Sequence, residues 1–215
     1  SDALAIAGGA WQAYDETKGK RRKVVTTKIE HDAIRVLGGQ LRRRGLEVLE
    51  AGCGADGVVS VDELKALLDD ATSVVSVMHA NNETGVLQPV LELAAAARAV
   101  GALVHTDAVQ SLGKLKIDAK ALGADLIAIS GHKVNAPKGV GALYVRRGVR
   151  LAPLVTGHQE KNRRGGTENV ASIVGFGAAC ELARRALGAH SQRLKALRAR
   201  LEEGCRGISG CRVNG

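Results

Sequence analysis

The sequence predicts an α/β domain in which a mostly parallel sheet is sandwiched by helices. Three observations predict it. Short β-branched runs alternate with helix-like stretches along most of the 215 residues. Several of the runs are apolar throughout, as strands buried on both faces are. The core has to be aliphatic, because the only aromatics are Trp11, Tyr14, Tyr144 and Phe176.

The elements follow in order. Ser1 and Asp2 precede a stretch from about Ala3 to Tyr14 that reads as a helix capped by those two residues. Lys23 to Ile29 is β-branched and reads as a strand. His31 to Arg44 reads as a helix, with arginines in its last turn and Gly45 just beyond. Leu46 to Glu50 is a short strand, Val61 to Leu68 a helix, and Ser73 to Met78 a buried strand. The alternation continues with a helix over Val90 to Val100 behind Pro89, and a strand over Ala102 to His105. A helical turn over Asp118 to Leu122 and strands over Asp125 to Ile129 and Val140 to Val145 come next. Asn169 to about Arg206 reads as a long helical region broken near Gly188, with Leu194, Leu197 and Leu201 on one face.

Composition narrows the function classes. Hydrophobic residues make up 45% and charged residues 25% of the chain, an ordinary globular balance. No uncharged apolar run approaches a membrane span, and the first 30 residues lack the order of a secretory signal. A cytoplasmic protein with reduced thiols is expected. None of Cys53, Cys180, Cys205 and Cys211 forms a Cys-x-x-Cys pair, so no metal site is expected. The net charge of +9 is spread over short basic runs with almost no aromatics between them. That pattern describes solvated faces and helix ends rather than a nucleic-acid surface.

In parallel sheets, ligands bind beyond the carboxyl ends of the strands. Those ends here carry Glu30 and His31; His79 to Glu83; Thr106 to Gln110; and Ser130 to Lys133. A lysine, an aspartate, amides and histidines around one edge suit pyridoxal phosphate, which needs an amine for a Schiff base and a carboxylate beside its pyridine nitrogen. Lys133 and Asp107 are the candidates for those two roles, and Ser130 and His132 for the phosphate. Asn81 and Asn82 also read as a simple turn, and His79 as a core histidine.

Four stretches carry a resemblance. They are Met78-His-Ala-Asn-Asn-Glu-Thr-Gly-Val-Leu-Gln-Pro89, His105-Thr-Asp-Ala-Val-Gln-Ser111, Ser130-Gly-His-Lys-Val-Asn-Ala-Pro-Lys-Gly139 and Arg164-Gly-Gly-Thr-Glu-Asn169. In order and spacing, the chain resembles the cysteine desulfurases of the class V aminotransferase group, fold-type I pyridoxal-phosphate enzymes. The resemblance implies the large domain of that fold over residues 1–215, incomplete, with about 180–215 leading into a small domain. It implies that Lys133 holds the cofactor covalently and later acts as base, and that His31 stacks on the ring and moves protons. Asp107 would pair with the ring nitrogen, Gln110 with the phenolic oxygen, and Asn82 with the ring or substrate nearby. Ser130 and His132 would bind the phosphate, and Thr167 would reach the phosphate of a neighbouring subunit, which implies a homodimer. The implied substrate is L-cysteine, converted to L-alanine. Sulfur would pass as a persulfide to an acceptor or scaffold protein for iron–sulfur cluster assembly. A selenocysteine lyase, another class V aminotransferase, or a non-catalytic basic binding module are the alternatives. The family's persulfide cysteine belongs past residue 215, so the 215-residue chain is expected to be inactive alone.

Overall fold

The computed structural model describes residues 1–213. A six-stranded sheet runs through it in the order β2-β1-β3-β4-β5-β6. The strands are β1 (Lys23–Thr27), β2 (Glu47–Ala51), β3 (Thr72–Ser76), β4 (Leu103–Asp107), β5 (Leu126–Ser130) and β6 (Gly141–Val145). Every pairing is parallel except β5 with β6, which is antiparallel.

The helices are α1 (Gly9–Glu16), α2 (Asp32–Arg43), α3 (Val61–Leu67), α4 (Val90–Ala99), the short turns α5 (Ala119–Leu122) and α6 (Gln159–Asn162), and α7 (Val170–Arg206). Side-chain alternation along the strands builds two cores. Val24 and Val74 face α1 and α2, packing with Ile6, Ile34, Leu37 and Leu41. Val25, Val75, Val104 and Ile127 face the other way, onto Leu64, Leu93, Ala94 and Ala97 of α3 and α4. Each fully buried valine, leucine or isoleucine among them contributes on the order of 1.5–3 kcal/mol. The predicted aliphatic double-sided sheet is what the chain forms.

Side chains and glycines define several helix ends, and the Gly45 stop after α2 is as expected. The Ser60 hydroxyl accepts from the Glu63 amide, and Asp118 caps α5. Gly45 and Gly123 take left-handed backbone just after α2 and α5. Two expectations fail. The first helix opens with a π-helical turn (Leu4–Gly8), and no side chain caps it. The Asp2 carboxylate instead turns towards His105. The long helix is also unbroken: α7 runs 37 residues straight through Gly188. A single glycine costs a helix only about 1 kcal/mol, and Ala186, Leu187 and Ala189 around it are good helix formers. Leu194, Leu197 and Leu201 lie on its solvent side. Among the described residues, no helix is long and apolar enough to cross a membrane.

One buried carboxyl ties the strand ends together. Glu30 follows β1, and its Oε1 accepts from the Thr27 hydroxyl (2.8 Å) and from the Met78 amide beyond β3 (2.9 Å). Burial pushes its pKa up to about 8, against the two hydrogen bonds, and the nearby Asp107 and Asp2 carboxyls push the same way. An unfolded glutamate titrates near ~4.3. Between those values the folded chain holds a proton that the unfolded chain has lost, so this stabilisation falls as pH rises towards 8. Glu30→Gln keeps both acceptor bonds and removes the titration. Its stability margin over wild type in urea melts should widen from about pH 5 to about pH 8, by at most about 1.4 kcal/mol per pH unit. A margin that does not change with pH would mean that Glu30 is charged in the folded chain.

Candidate active site

The strand order places the reversal point between β1 and β3, where α/β sheets open a crevice beyond their carboxyl ends. A cleft of about 260 Å³ lies there. Seven of the eight side chains singled out from the sequence line it: His31, Asn82, Asp107, Gln110, Ser130, His132 and Lys133. They arrive from four strand ends, those of β1, β3, β4 and β5. The eighth, Thr167, is exposed in the segment between α6 and α7 and does not line the cleft of the single chain.

Each side chain is held by local structure. His31 is the N-cap of α2, its Nδ1 accepting from the Ala33 amide at 3.1 Å. That bond requires an unprotonated Nδ1, so the ring carries and exchanges its proton at Nε2. The neighbouring asparagines divide the work. Asn81 builds the turn: its Oδ1 accepts from the Glu83 and Thr84 amides at 2.9 Å, and its Nδ2 donates to the Ile29 carbonyl. Asn82, the next residue, lines the cleft. Gln110 is anchored from behind by the Lys114 ammonium, 3.0 Å from its carbonyl oxygen and 3.3 Å from its Oε1. An amide oxygen held this way leaves Nε2 as the outward donor.

Asp107 ends β4, and its Oδ1 accepts from the Val109 amide at 2.8 Å. Its Oδ2 makes no hydrogen bond among the described residues. Burial raises its pKa and the Asp2 charge adds to this, while the Val109 amide, His105 and His31 act the other way. On the neighbouring strand end, the Ser130 hydroxyl and His132 Nδ1 lie 2.8 Å apart. Lys133 sits in a 3-10 turn (Gly131–Val134) closed by left-handed Asn135. It also borders a second cavity of about 300 Å³ under α7, beside Lys114. Burial and then the Lys133 charge hold Lys114 below the usual lysine range.

The cleft is therefore polarised. The side at β1 and β4 carries Asp2 and Asp107, with Glu30 close behind. The side at β5 carries a hydroxyl, an imidazole and an ammonium. A ligand with a cationic ring nitrogen at one end and a phosphate at the other suits that polarity. Pyridoxal phosphate is such a ligand, and the cleft residues fit it. His79, left out of the site by sequence, is buried behind it, its pKa lowered by desolvation. Asp2 is the charged cleft residue that sequence reasoning missed. It lies about 100 positions from the strand it meets, and it read there only as a helix cap.

Over residues 5–215 the chain matches the family described as aminotransferase class-V. It is 49% identical over 191 residues to a cysteine desulfurase of Gluconacetobacter diazotrophicus, covering 88% of this chain and 48% of that protein. Among solved structures, a NifS-like protein superposes with a TM-score of 0.87 at 37% identity, covering 96% of this chain and 58% of that one. A structure described as SspA in complex with cysteine gives 0.77 at 37% identity, covering 84% and 52%. The chain spans about half the length of the curated relatives it matches.

The turn that presents Lys133 has no spare room. A Cβ on Gly131 would stand 2.9 Å from Val140 Cγ1, 3.0 Å from the Val140 carbonyl oxygen and 3.1 Å from Ala136 Cβ. Gly131→Ala is expected to cost about 1–3 kcal/mol of stability, read by urea denaturation. A neutral result would mean that the Lys133 turn is free to shift.

Proposed function

The chain belongs to the class V aminotransferase family, and from that premise we propose that it is the cofactor-binding part of a pyridoxal-phosphate-dependent cysteine desulfurase. The observation that carries this reading is the convergence of Lys133 and Asp107, from the ends of neighbouring strands, on one cleft that Asn82 and Gln110 also line. The cysteine desulfurase named among its relatives supports the substrate, L-cysteine, and so does the relative described in complex with cysteine.

The roles follow from the chemistry of each side chain. Lys133 would hold the cofactor through Nζ and, once displaced by the substrate amine, move the proton at the substrate Cα. The Asp107 carboxylate would pair through Oδ2 with the ring nitrogen. Gln110 would donate its amide N–H to the phenolic oxygen, with Asn82 on the same side. Ser130 and His132 would bind the phosphate. His31 would lie against the ring face and exchange its proton at Nε2, because its cap occupies Nδ1. When bound there, pyridoxal phosphate supplies an electron sink for bond breaking next to the substrate amine.

None of the four cysteines lines the cleft. On the proposed reading the sulfur-accepting thiol is none of these four, and sulfur passes as a persulfide to an acceptor for iron–sulfur cluster assembly. The exposed Thr167 suits a residue that serves the cleft of a second subunit in a homodimer. On this reading the 215-residue chain alone binds cofactor but releases no sulfide.

The test is titration of the purified chain with pyridoxal phosphate, followed by borohydride reduction and peptide mapping. One adduct per chain at Lys133, abolished in Lys133→Ala, is expected. Adducts scattered over exposed lysines, undiminished in that variant, would overturn the reading.

A further inference from the structure

Below the cleft floor lies a buried polar chain that the roles above do not use. β3 and β4 pair in register, with Ser76 opposite His105. The Ser76 hydroxyl lies 2.8 Å from His105 Nδ1. On the far side of the ring, Nε2 is 3.5 Å from Asp2 Oδ1. The contact is an ion-pair distance rather than a hydrogen bond, and both atoms are buried with no hydrogen-bond partner among the described residues. The His105 side chain is fully buried, and that of Asp2 is 15% exposed.

Two features of this chain concern Asp107. His105 and Asp107 are two residues apart on β4, so their side chains leave the same face of the sheet, about 6.6 Å apart along the strand. Asp2 lies close to both and lines the cleft with Asp107. Two acidic side chains thus meet at one end of the cleft, and a third, Glu30, is buried beside them. An imidazole placed between a hydroxyl and a carboxylate adopts the tautomer that suits both. The anionic Asp2 selects a proton on Nε2, and Nδ1 is then free to accept from Ser76. The positive end of the ring therefore faces Asp2.

We propose that His105, held between Ser76 and Asp2, is a positioning residue for Asp107: it offsets the Asp2 charge so that the Asp107 carboxylate stays anionic and faces the cleft. The use of that anion towards a ring nitrogen rests on the cofactor reading, but the electrostatic coupling does not. The groups facing Asp107 are Asp2 from the N-terminal turn, Glu30 and His31 from the β1–α2 connection, and His105 from its own strand. Without His105, the uncompensated Asp2 favours a protonated Asp107, which cannot pair with a cationic nitrogen. The pKa directions agree with this. Burial is the largest single influence and works against the charged form of Asp2, yet His105, with the N-terminal ammonium and a backbone hydrogen bond, holds Asp2 below the usual carboxylate range. Burial and Asp2 raise Asp107, and His105 opposes them.

The experiment is an NMR titration of the Asp107 side-chain carboxyl in the cofactor-free chain, so that failure here is separate from failure to bind pyridoxal phosphate. The chains compared are wild type, His105→Gln, Asp2→Asn and the double variant. The Asp107 midpoint should rise by about 1 pH unit in His105→Gln, fall by about as much in Asp2→Asn, and return towards wild type in the double variant. A purely structural role for His105 would not reverse on removing Asp2. If His105→Gln does not fold, Asp2→Asn decides alone, because its site is at the rim. A midpoint left unmoved by Asp2→Asn, or left unmoved by His105→Gln in a folded chain, overturns the proposal.

Discussion

Parallel strands joined side by side must end on the same edge of a sheet. With β1, β3, β4 and β5 parallel, residues separated by as much as a hundred positions are delivered to one rim. The register does the rest. Ser76 stands opposite His105, and Asp107 opposite Ala128, so each strand from β3 to β5 ends two residues beyond the one before it. The cleft is thus a product of backbone hydrogen bonding. Its side chains need little further steering than a cap on α2, an asparagine turn and a 3-10 turn.

Burying polar groups at the edges of the sheet has a cost, and the edge away from the cleft meets it by pairing. Lys23 is buried but reaches Asp69 at 2.5 Å, and Asp125 takes both the Val104 amide and the Arg146 guanidinium. Glu30 keeps a proton instead. Behind the cleft, pairing is less complete: Glu30 Oε2, His79 Nδ1 and Thr106 Oγ1 are buried without partners. Unsatisfied buried polar atoms collect where function sets the sequence rather than stability. Several of them stand at or just beyond the carboxyl ends of the strands, beside the cleft.

Much of this was legible in the sequence, for physical reasons. β-Branched apolar runs have few alternatives to a buried strand, so all six strands were visible within a few residues. The polar residues just after those strands had to share an edge once the sheet was parallel, which is how seven cleft residues emerged. The illegible parts depend on long-range geometry. Nothing local distinguishes an Asp2 that caps a helix from one that turns to a histidine on β4. Gly188 reads locally as a break, but the helix formers on both sides of it carry α7 through. Thr167 is exposed in one chain, so nothing beside it there reveals a role.

The length of α7 has a mechanical consequence. Thirty-seven residues make a rod of about 55 Å, and Phe176 is its only buried residue. The rod is seated near its start: Gly175 packs against Pro137, and Ala183 lies beside Gly113, which in turn abuts Val134. Both seats touch the segment that carries Lys133. Tilting such a rod by about 10° about its root would swing the far end by roughly 8 Å. Read in reverse, a modest force on the distal turns acts with a long moment arm on the loop holding the reactive amine.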